Sequence, residues 1–273
     1  MSSEDAELRA HYAQGKEWDR LRDPTGAIEF ERTREILQRQ LPAPPAVIAD
    51  IGGGPGRYAL WLAELSYTVE HRDLIRLHVQ QLQEQAGPRV HAEVGDARDL
   101  NLPDASVDAV LLLGPLYHLR DRTHRIKALC EAGRIVRPGG RVFAAVISRW
   151  APRLEGVVAE RLYESHPNML ALLPDVELTG NLPRVAPDGF SGYTHRPAEL
   201  VEEIAAAELA LEDLVGVEGM PLAASDMRAR LDDPAAWQVV LDTARAIERV
   251  PELLGLSPHL IATARRPPSQ QPC

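Results

Sequence analysis

The run Ala49-Asp50-Ile51-Gly52-Gly53-Gly54-Pro55-Gly56-Arg57 constrains this chain more than any other stretch. Ahead of it, Ala46-Val47-Ile48-Ala49 is short, apolar and partly β-branched, and it is bounded by Pro42, Pro44 and Pro45, the profile of a buried strand. Behind it, Tyr58 to Leu65 reads as a helix packed against a sheet. Glycines let the backbone bend sharply and approach a ligand, and a helix N-terminus offers unpaired N–H groups. Strand, glycine loop and helix together form the first turn of a βαβ unit, a seat for a small molecule with a nucleotide-like half.

The rest of the chain continues the alternation. Tyr67–Asp73 predicts a second strand that ends in Asp73, roughly twenty residues past the loop, where a carboxylate can accept from a ribose diol. Asp73 equally suits the N-cap of a helix starting near Leu74. Leu74 and Ile75 follow, placed to cover one face of an adenine. Arg89–Val94 predicts a third strand. Ala109–Leu113 is an unbroken apolar run, as in a parallel strand buried on both faces. Arg141–Ile147, Ala210–Val217 and Leu260–Ala264 predict strands five, six and an antiparallel seven.

Before the first strand, residues 1–44 predict a helical cap broken at Pro24-Thr25-Gly26. Its Tyr12 and Trp18 either pack on the core or sit on a lid that touches substrate. After strand five, residues 150–195 lose the alternation, with breaks at His166-Pro167, Pro174, Gly180-Asn181 and Pro187–Phe190. An insertion of this length is either a substrate lid or a surface excursion. Residues 45–149 and 196–266 form the two parts of the core, and 267–273 is a loose tail.

The loop admits two chemical readings. Gly54-x-Gly56-x-x-Ala59 matches the dinucleotide pattern and allows NAD. Asp50-x-Gly52-x-Gly54-x-Gly56 resembles the first motif of the class I S-adenosylmethionine (SAM) methyltransferases. Gly95-Asp96-Ala97 after strand three and Arg137-Pro138-Gly139-Gly140 before strand five resemble the same family. Together these motifs favour SAM over NAD, and the chain resembles the bacterial small-molecule members over residues 45–150, more weakly from Phe190 onward. The resemblance implies a Rossmann-like, doubly wound, seven-stranded, mostly parallel α/β sheet with one antiparallel strand. It implies SAM as cofactor, with Asp50 shaping the loop and helping to hold the amino group. Gly52, Gly54 and Gly56 would make room for the methionine half. Asp73 and Leu74 would serve the ribose and adenine, Asp96 and the backbone N–H of Ala97 the adenine, and the Gly114 carbonyl the amino group. Gly114-Pro115-Leu116-Tyr117 lacks the leading amide or acid of the Asn/Asp-Pro-Pro-aromatic tetrad, which argues against enzymes that methylate exocyclic base amines.

The implied reaction is methyl transfer to an oxygen, nitrogen or carbon of a small molecule, including specialised metabolites and modified peptides. A SAM-binding protein without methyl transfer is the other class. His118, just past strand four, is the first candidate base, and it equally suits a structural hydrogen bond. Tyr117 would orient the acceptor, and Tyr12, Trp18, Tyr117 and His195 are candidate substrate contacts. His71, His259 and the remaining histidines read as surface or structural residues, and no His, Asp and Glu spacing points to a metal. The net charge of −10 in 273 residues, with basic residues scattered among acidic ones, argues against a nucleic-acid partner. No apolar run spans a bilayer, and the acidic start lacks a leader pattern. Cys130 and Cys273 alone cannot supply a disulfide scaffold or a cysteine zinc site. The expectation is a cytoplasmic enzyme with a small-molecule partner and no membrane partner; nothing in the pattern specifies an oligomer.

Overall fold

The structure, a computed structural model, describes residues 3–12, 17, 24–159, 162–184, 191–220 and 226–268. Trp18, the Pro187–Phe190 break and most of the 267–273 tail lie outside the described residues. Strand β1 (Val47–Ile51) pairs in parallel with β2 (Thr68–Asp73) on one side and β4 (Val107–Leu112) on the other. Strand β3 (Val90–Val94) continues beyond β2, and β5 (Val136–Ser148) beyond β4, both parallel. Strand β9 (His259–Arg265) runs antiparallel to β5, and β8 (Ala210–Gly216) runs antiparallel to β9. The seven-stranded order is therefore β3-β2-β1-β4-β5-β9-β8, with β9 alone reversed. All seven expected strands are present. The order reverses between β1 and β4, which opens a crevice at the carboxyl ends of those two strands.

Alternation along the strands divides the core between two faces, because successive side chains point to opposite sides of a sheet. Val110 and Leu112 of β4 join Ala49, Ile51, Val142, Ala144 and Val146 on one face. Ala128, Leu129 and Ala132 of α6 (Arg122–Ile135) and Leu200 and Ile204 of α8 (Pro197–Ala206) cover it. Ala109, Leu111, Ile48, Val69 and Phe143 share the opposite face. That side is covered by Tyr58, Ala59, Trp61 and Leu62 of α3 (Arg57–Glu64) and by Val79 and Leu82 of α4 (Arg76–Gln83). The continuous apolar run of strand four thus has its physical cause: both of its faces are dry.

The Arg137–Gly140 turn is an excursion within β5 rather than a separate turn. Val136 pairs with Val107 and Arg141 with Ala109, so the intervening residues loop out, with Gly139 at φ 82°.

The expected helical cap consists of α1 (Ser3–Tyr12) and α2 (Pro24–Gln38), and the Pro24-Thr25-Gly26 break starts the second helix. Ile28 packs against Met227 and against Trp237, Val240 and Leu241 of α9 (Pro234–Ile247), while Ile36 packs against Ala145, Val215, Val217 and Ile261. The fully buried Arg32 guanidinium binds the side chains of Glu35 and Glu248 and reaches the Val217 carbonyl at 3.3 Å. This network ties the N-terminal helix to the last third of the chain.

The 150–195 insertion folds into short helices, and the prolines mark where they begin. Pro167 and Pro174 sit in the first turns of Pro167–Leu170 and α7 (Leu173–Thr179), and Gly180 ends α7 at φ 84°. A hairpin of β6 (Asn181–Leu182) and β7 (Gly192–His195) follows, and β7 pairs in parallel with the last two residues of β5.

His195 lies in this hairpin, fully buried, and its Nε2 is 3.2 Å from Glu203 Oε2. Arg125 donates to the same carboxylate at 2.7 Å and stacks 3.7 Å from the Tyr193 ring centroid. Burial pushes the His195 imidazole down, against the pull of Glu203 and with the help of Arg125. Glu203, which burial would raise, is held below its ordinary range by His195 and Arg125.

Two predictions follow from this triad. Glu203→Ala leaves the Arg125 charge buried without its partner and should cost about 3–5 kcal/mol in urea unfolding. The second concerns pH. A histidine depressed below its ordinary 6.5 in the native state lets the unfolded chain bind more protons. Stability should therefore fall as pH drops below 6.5, and His195→Gln should flatten that slope in thermal melts at a series of pH values.

Candidate functional site

The crevice at the β1/β4 switch point is an open cavity lined from Asp96 at one end to His259 at the other. Its floor is the contact between the loops after β1 and β4. Gly52 is left-handed at φ 67°, and a Cβ there would lie 2.5 Å from Pro115 Cγ. A Cβ on Gly114 would lie 2.6 Å from the Gly52 carbonyl oxygen. Only glycine permits this approach of the two backbones.

At the donor end, Asp73 clamps the glycine loop. Its Oδ2 accepts from the Gly54 N–H at 2.8 Å and its Oδ1 from the Ile75 N–H at 2.8 Å, with His78 Nδ1 at 3.2 Å. Burial would raise this carboxyl, but His78 and the Ile75 N–H outweigh it and hold it below the ordinary carboxylate range. Asp73 thus carries the local turn role as well as facing the cavity, beside Leu74 and Ile75. Asp96 lines the next stretch with Ala97; Arg98 donates to it from its backbone at 2.9 Å and its side chain at 2.6 Å. Burial alone would raise Asp96, and these Arg98 donors hold it low.

Asp50 and Gly56 do not line the cavity. Asp50 is wholly buried beneath the loop: a Cβ on Gly53 would collide with its carboxylate, and its Oδ2 lies 3.3 Å from His71 Nδ1. Its Oδ1 finds no hydrogen-bond partner among the described residues. Its part is to shape the loop from below. Gly56, at φ 87°, caps α3 and faces Leu82.

On the β4 side, Tyr117 and His118 stand on α5 (Pro115–His118), and Tyr12 of α1 reaches across to them. The Tyr12 hydroxyl is 2.9 Å from His118 Nε2, and its ring meets His78 edge-on at 5.0 Å. Tyr12 therefore joins the α5 side of the cavity to the Asp73–His78 side. His195 is a correction: buried in the Arg125–Glu203 triad, it does not line the cavity. None of the described residues of the 150–195 insertion lines it either. Among the described residues, Leu8, Tyr12, Glu29 and Thr33 of the helical cap form this wall.

Sequence reading missed a further group here. His259 opens β9 and lines the cavity, together with Glu29 of α2. Glu218, just past β8, accepts from His259 Nδ1 on Oε1 at 2.6 Å. Its Oε2 accepts from Ser257 Oγ at 2.9 Å and the His259 N–H at 3.0 Å. Burial opposes the charged form of His259, but Glu218, Glu29 and Glu155 outweigh it and raise its pKa to about 9. His259 is thus a wall residue of the site, not a bystander. Its placement at the start of an antiparallel strand, and so at the carboxyl edge of the sheet, was the available signal.

Comparison with known proteins accords with this geometry. Residues 48–140 match a family described as a methyltransferase domain. The 27-O-demethylrifamycin SV methyltransferase of Amycolatopsis mediterranei is 34% identical over 134 residues, 46% of this chain and 47% of that protein. A probable tRNA methyltransferase 9B of Bos taurus is 34% identical over 124 residues, 45% of this chain and 25% of that protein. The chain thus spans half or less of these curated relatives. The solved 1,6-didemethyltoxoflavin-N1-methyltransferase of Burkholderia thailandensis, with bound S-adenosylhomocysteine, shares the fold at TM-score 0.55 and 19% identity. That likeness covers 96% of this chain and 88% of that one. Over residues 48–140 the chain is thus similar to methyltransferase domains, a group that takes SAM as methyl donor, and its fold is that of solved SAM-dependent methyltransferases. The residues present fit that donor: a glycine floor that a side chain would fill, and the Asp73 and Asp96 carboxylates along one end of the cavity.

Asp73→Ala should weaken binding of S-adenosylhomocysteine by roughly 1–3 kcal/mol in calorimetric titration, through lost hydrogen bonds to the ligand and to the loop. Unchanged affinity would remove Asp73 from the cofactor site.

Proposed function

We propose that this protein transfers the methyl group of SAM to an oxygen, nitrogen or carbon atom of a small-molecule acceptor. The observation that carries the reading is a single cavity with two chemically different ends. Backbone and the carboxylates of Asp73 and Asp96 line one end, and Tyr12, Tyr117, His118, Glu29 and His259 line the other. Transfer is an in-line displacement at a sulfonium methyl carbon, which needs no covalent enzyme intermediate. The protein's contribution is to hold the acceptor behind that carbon and exclude water. Tyr12 and Tyr117 serve the positioning. His118 takes a proton from acceptors that lose one, exchanging its Tyr12 partner for the acceptor.

The net charge of −10 supports a neutral or cationic small molecule over a nucleic acid, and carboxylates at the acceptor end point the same way. The name of the Amycolatopsis relative supports a specialised metabolite. No described helix is long and apolar enough to cross a membrane.

Calorimetric titration with S-adenosylhomocysteine, with NADH as control, tests the reading. Micromolar binding of the former alone is expected; NADH binding instead would overturn it. His118→Ala should keep that affinity while slowing methyl transfer by about 10²–10⁴-fold, read as S-adenosylhomocysteine formed from SAM. An equal loss of affinity would make His118 structural.

A further inference from the structure

His78 is a polar ring on the buried, otherwise apolar face of α4, where Val79 and Leu82 pack into the core. Its side chain is 2% exposed, lines the cavity and stands against Asp73. We propose that His78 is a cofactor-binding residue that shares the ribose of SAM with Asp73. One ribose hydroxyl donates to Asp73 Oδ2 and the neighbouring hydroxyl to His78 Nε2.

Two independent observations carry this. The first is the acceptor capacity of Asp73. An ionised carboxylate offers about four lone-pair sites, about two on each oxygen. The Ile75 N–H at 2.8 Å and His78 Nδ1 at 3.2 Å fill those of Oδ1, and the Gly54 N–H at 2.8 Å takes one of Oδ2. A single site is left, so Asp73 can accept from one hydroxyl of a vicinal diol and not from both. The second observation is the far nitrogen of the His78 ring. Asp73 is held below the ordinary carboxylate range and can only accept, so a neutral ring at this position carries its proton on Nδ1. Nε2 is then a bare acceptor, and it is buried with no hydrogen-bond partner among the described residues. Tyr12 stands edge-on to the ring at 5.0 Å but directs its hydroxyl to His118. A buried acceptor on a cavity wall takes its donor from whatever fills the cavity. The hydroxyl that Asp73 cannot serve is such a donor.

The proposal rests on SAM occupying this end of the cavity and is independent of the acceptor. The test is calorimetric titration of the full chain, at about pH 8 and so above the ordinary histidine range. The ligands are S-adenosylhomocysteine and its 2′-deoxy and 3′-deoxy analogues. In the wild type each missing hydroxyl should weaken binding about tenfold. His78→Asn keeps a donor where Nδ1 stands and removes Nε2. It should weaken S-adenosylhomocysteine about tenfold and abolish the penalty of one analogue while leaving that of the other. His78→Gln, whose amide reaches the place of Nε2, should recover part of the loss. If His78→Asn weakens all three ligands alike, or none of them, the proposal fails. A measurement on the wild type keeps the test independent of how the variants fold. With ¹⁵N-labelled histidine, S-adenosylhomocysteine should move the His78 Nε2 resonance out of the bare-nitrogen range, and one of the two analogues should not. A resonance unmoved by S-adenosylhomocysteine overturns the proposal. Wild-type protein that binds no S-adenosylhomocysteine overturns the SAM reading, and this assignment with it.

Discussion

The contact between two backbones at the switch point governs the rest of the molecule. Gly52 and Gly114 meet with no side chain between them, and Pro115 packs over the first of these loops. Parallel pairing of β1 with β4 brings the loops together, and Asp73 holds the resulting bend through the Gly54 N–H. A side chain at either glycine would push the strands' carboxyl ends apart and close the donor seat. The buried Asp50 supports the same loop from below, with His71 beside it on the neighbouring strand. Shape here is set by main chain and by groups in adjacent strands, so the donor seat is as rigid as the sheet itself.

That dependence explains what could be read from the sequence. Each feature of the donor end is local: a strand, a turn within a few residues, and a carboxylate at the following strand's end. Hydrophobic runs located the central strands such as β4, because strands buried on both faces must be apolar throughout, while β3 and β8 nearer the sheet edges keep exposed polar positions. Asp73, Leu74, Asp96 and Ala97 were legible for the same reason, each lying just past a strand that local pattern defines. Asp50 and Gly56 were legible as necessary but not in their roles, since a motif does not say which members face the ligand and which support the loop.

The acceptor end was far less legible, because its residues meet only through tertiary packing. Glu29 is on an N-terminal helix, Glu218 follows β8, and His259 begins β9; no spacing rule joins them. His195 shows the converse. Its place at the return of an irregular insertion suggested a substrate contact, but pairing of β7 with the end of β5 carries it into the core. There Glu203 and Arg125 satisfy it. An insertion after strand five looks like a lid from length alone; among the described residues, the cavity wall on this side comes from α1 and α2.

The placement of α2 therefore matters for chemistry as well as stability. Ile36 packs on Val215, Val217 and Ile261, the same segments that present Glu218 and His259, while Arg32 joins Glu248 and the Val217 carbonyl. Glu29 lies one helical turn before Arg32 on this helix, so the ion-pair network that fixes the helix also places Glu29 at the cavity wall. The donor end is built from main chain and the acceptor end from side chains on elements that converge late in the chain. Side chains at the second end can change without disturbing the first. On the methyltransferase reading proposed above, this division would let one fold keep a single methyl donor while the side chains of α1, α2 and the β8–β9 edge vary with the acceptor.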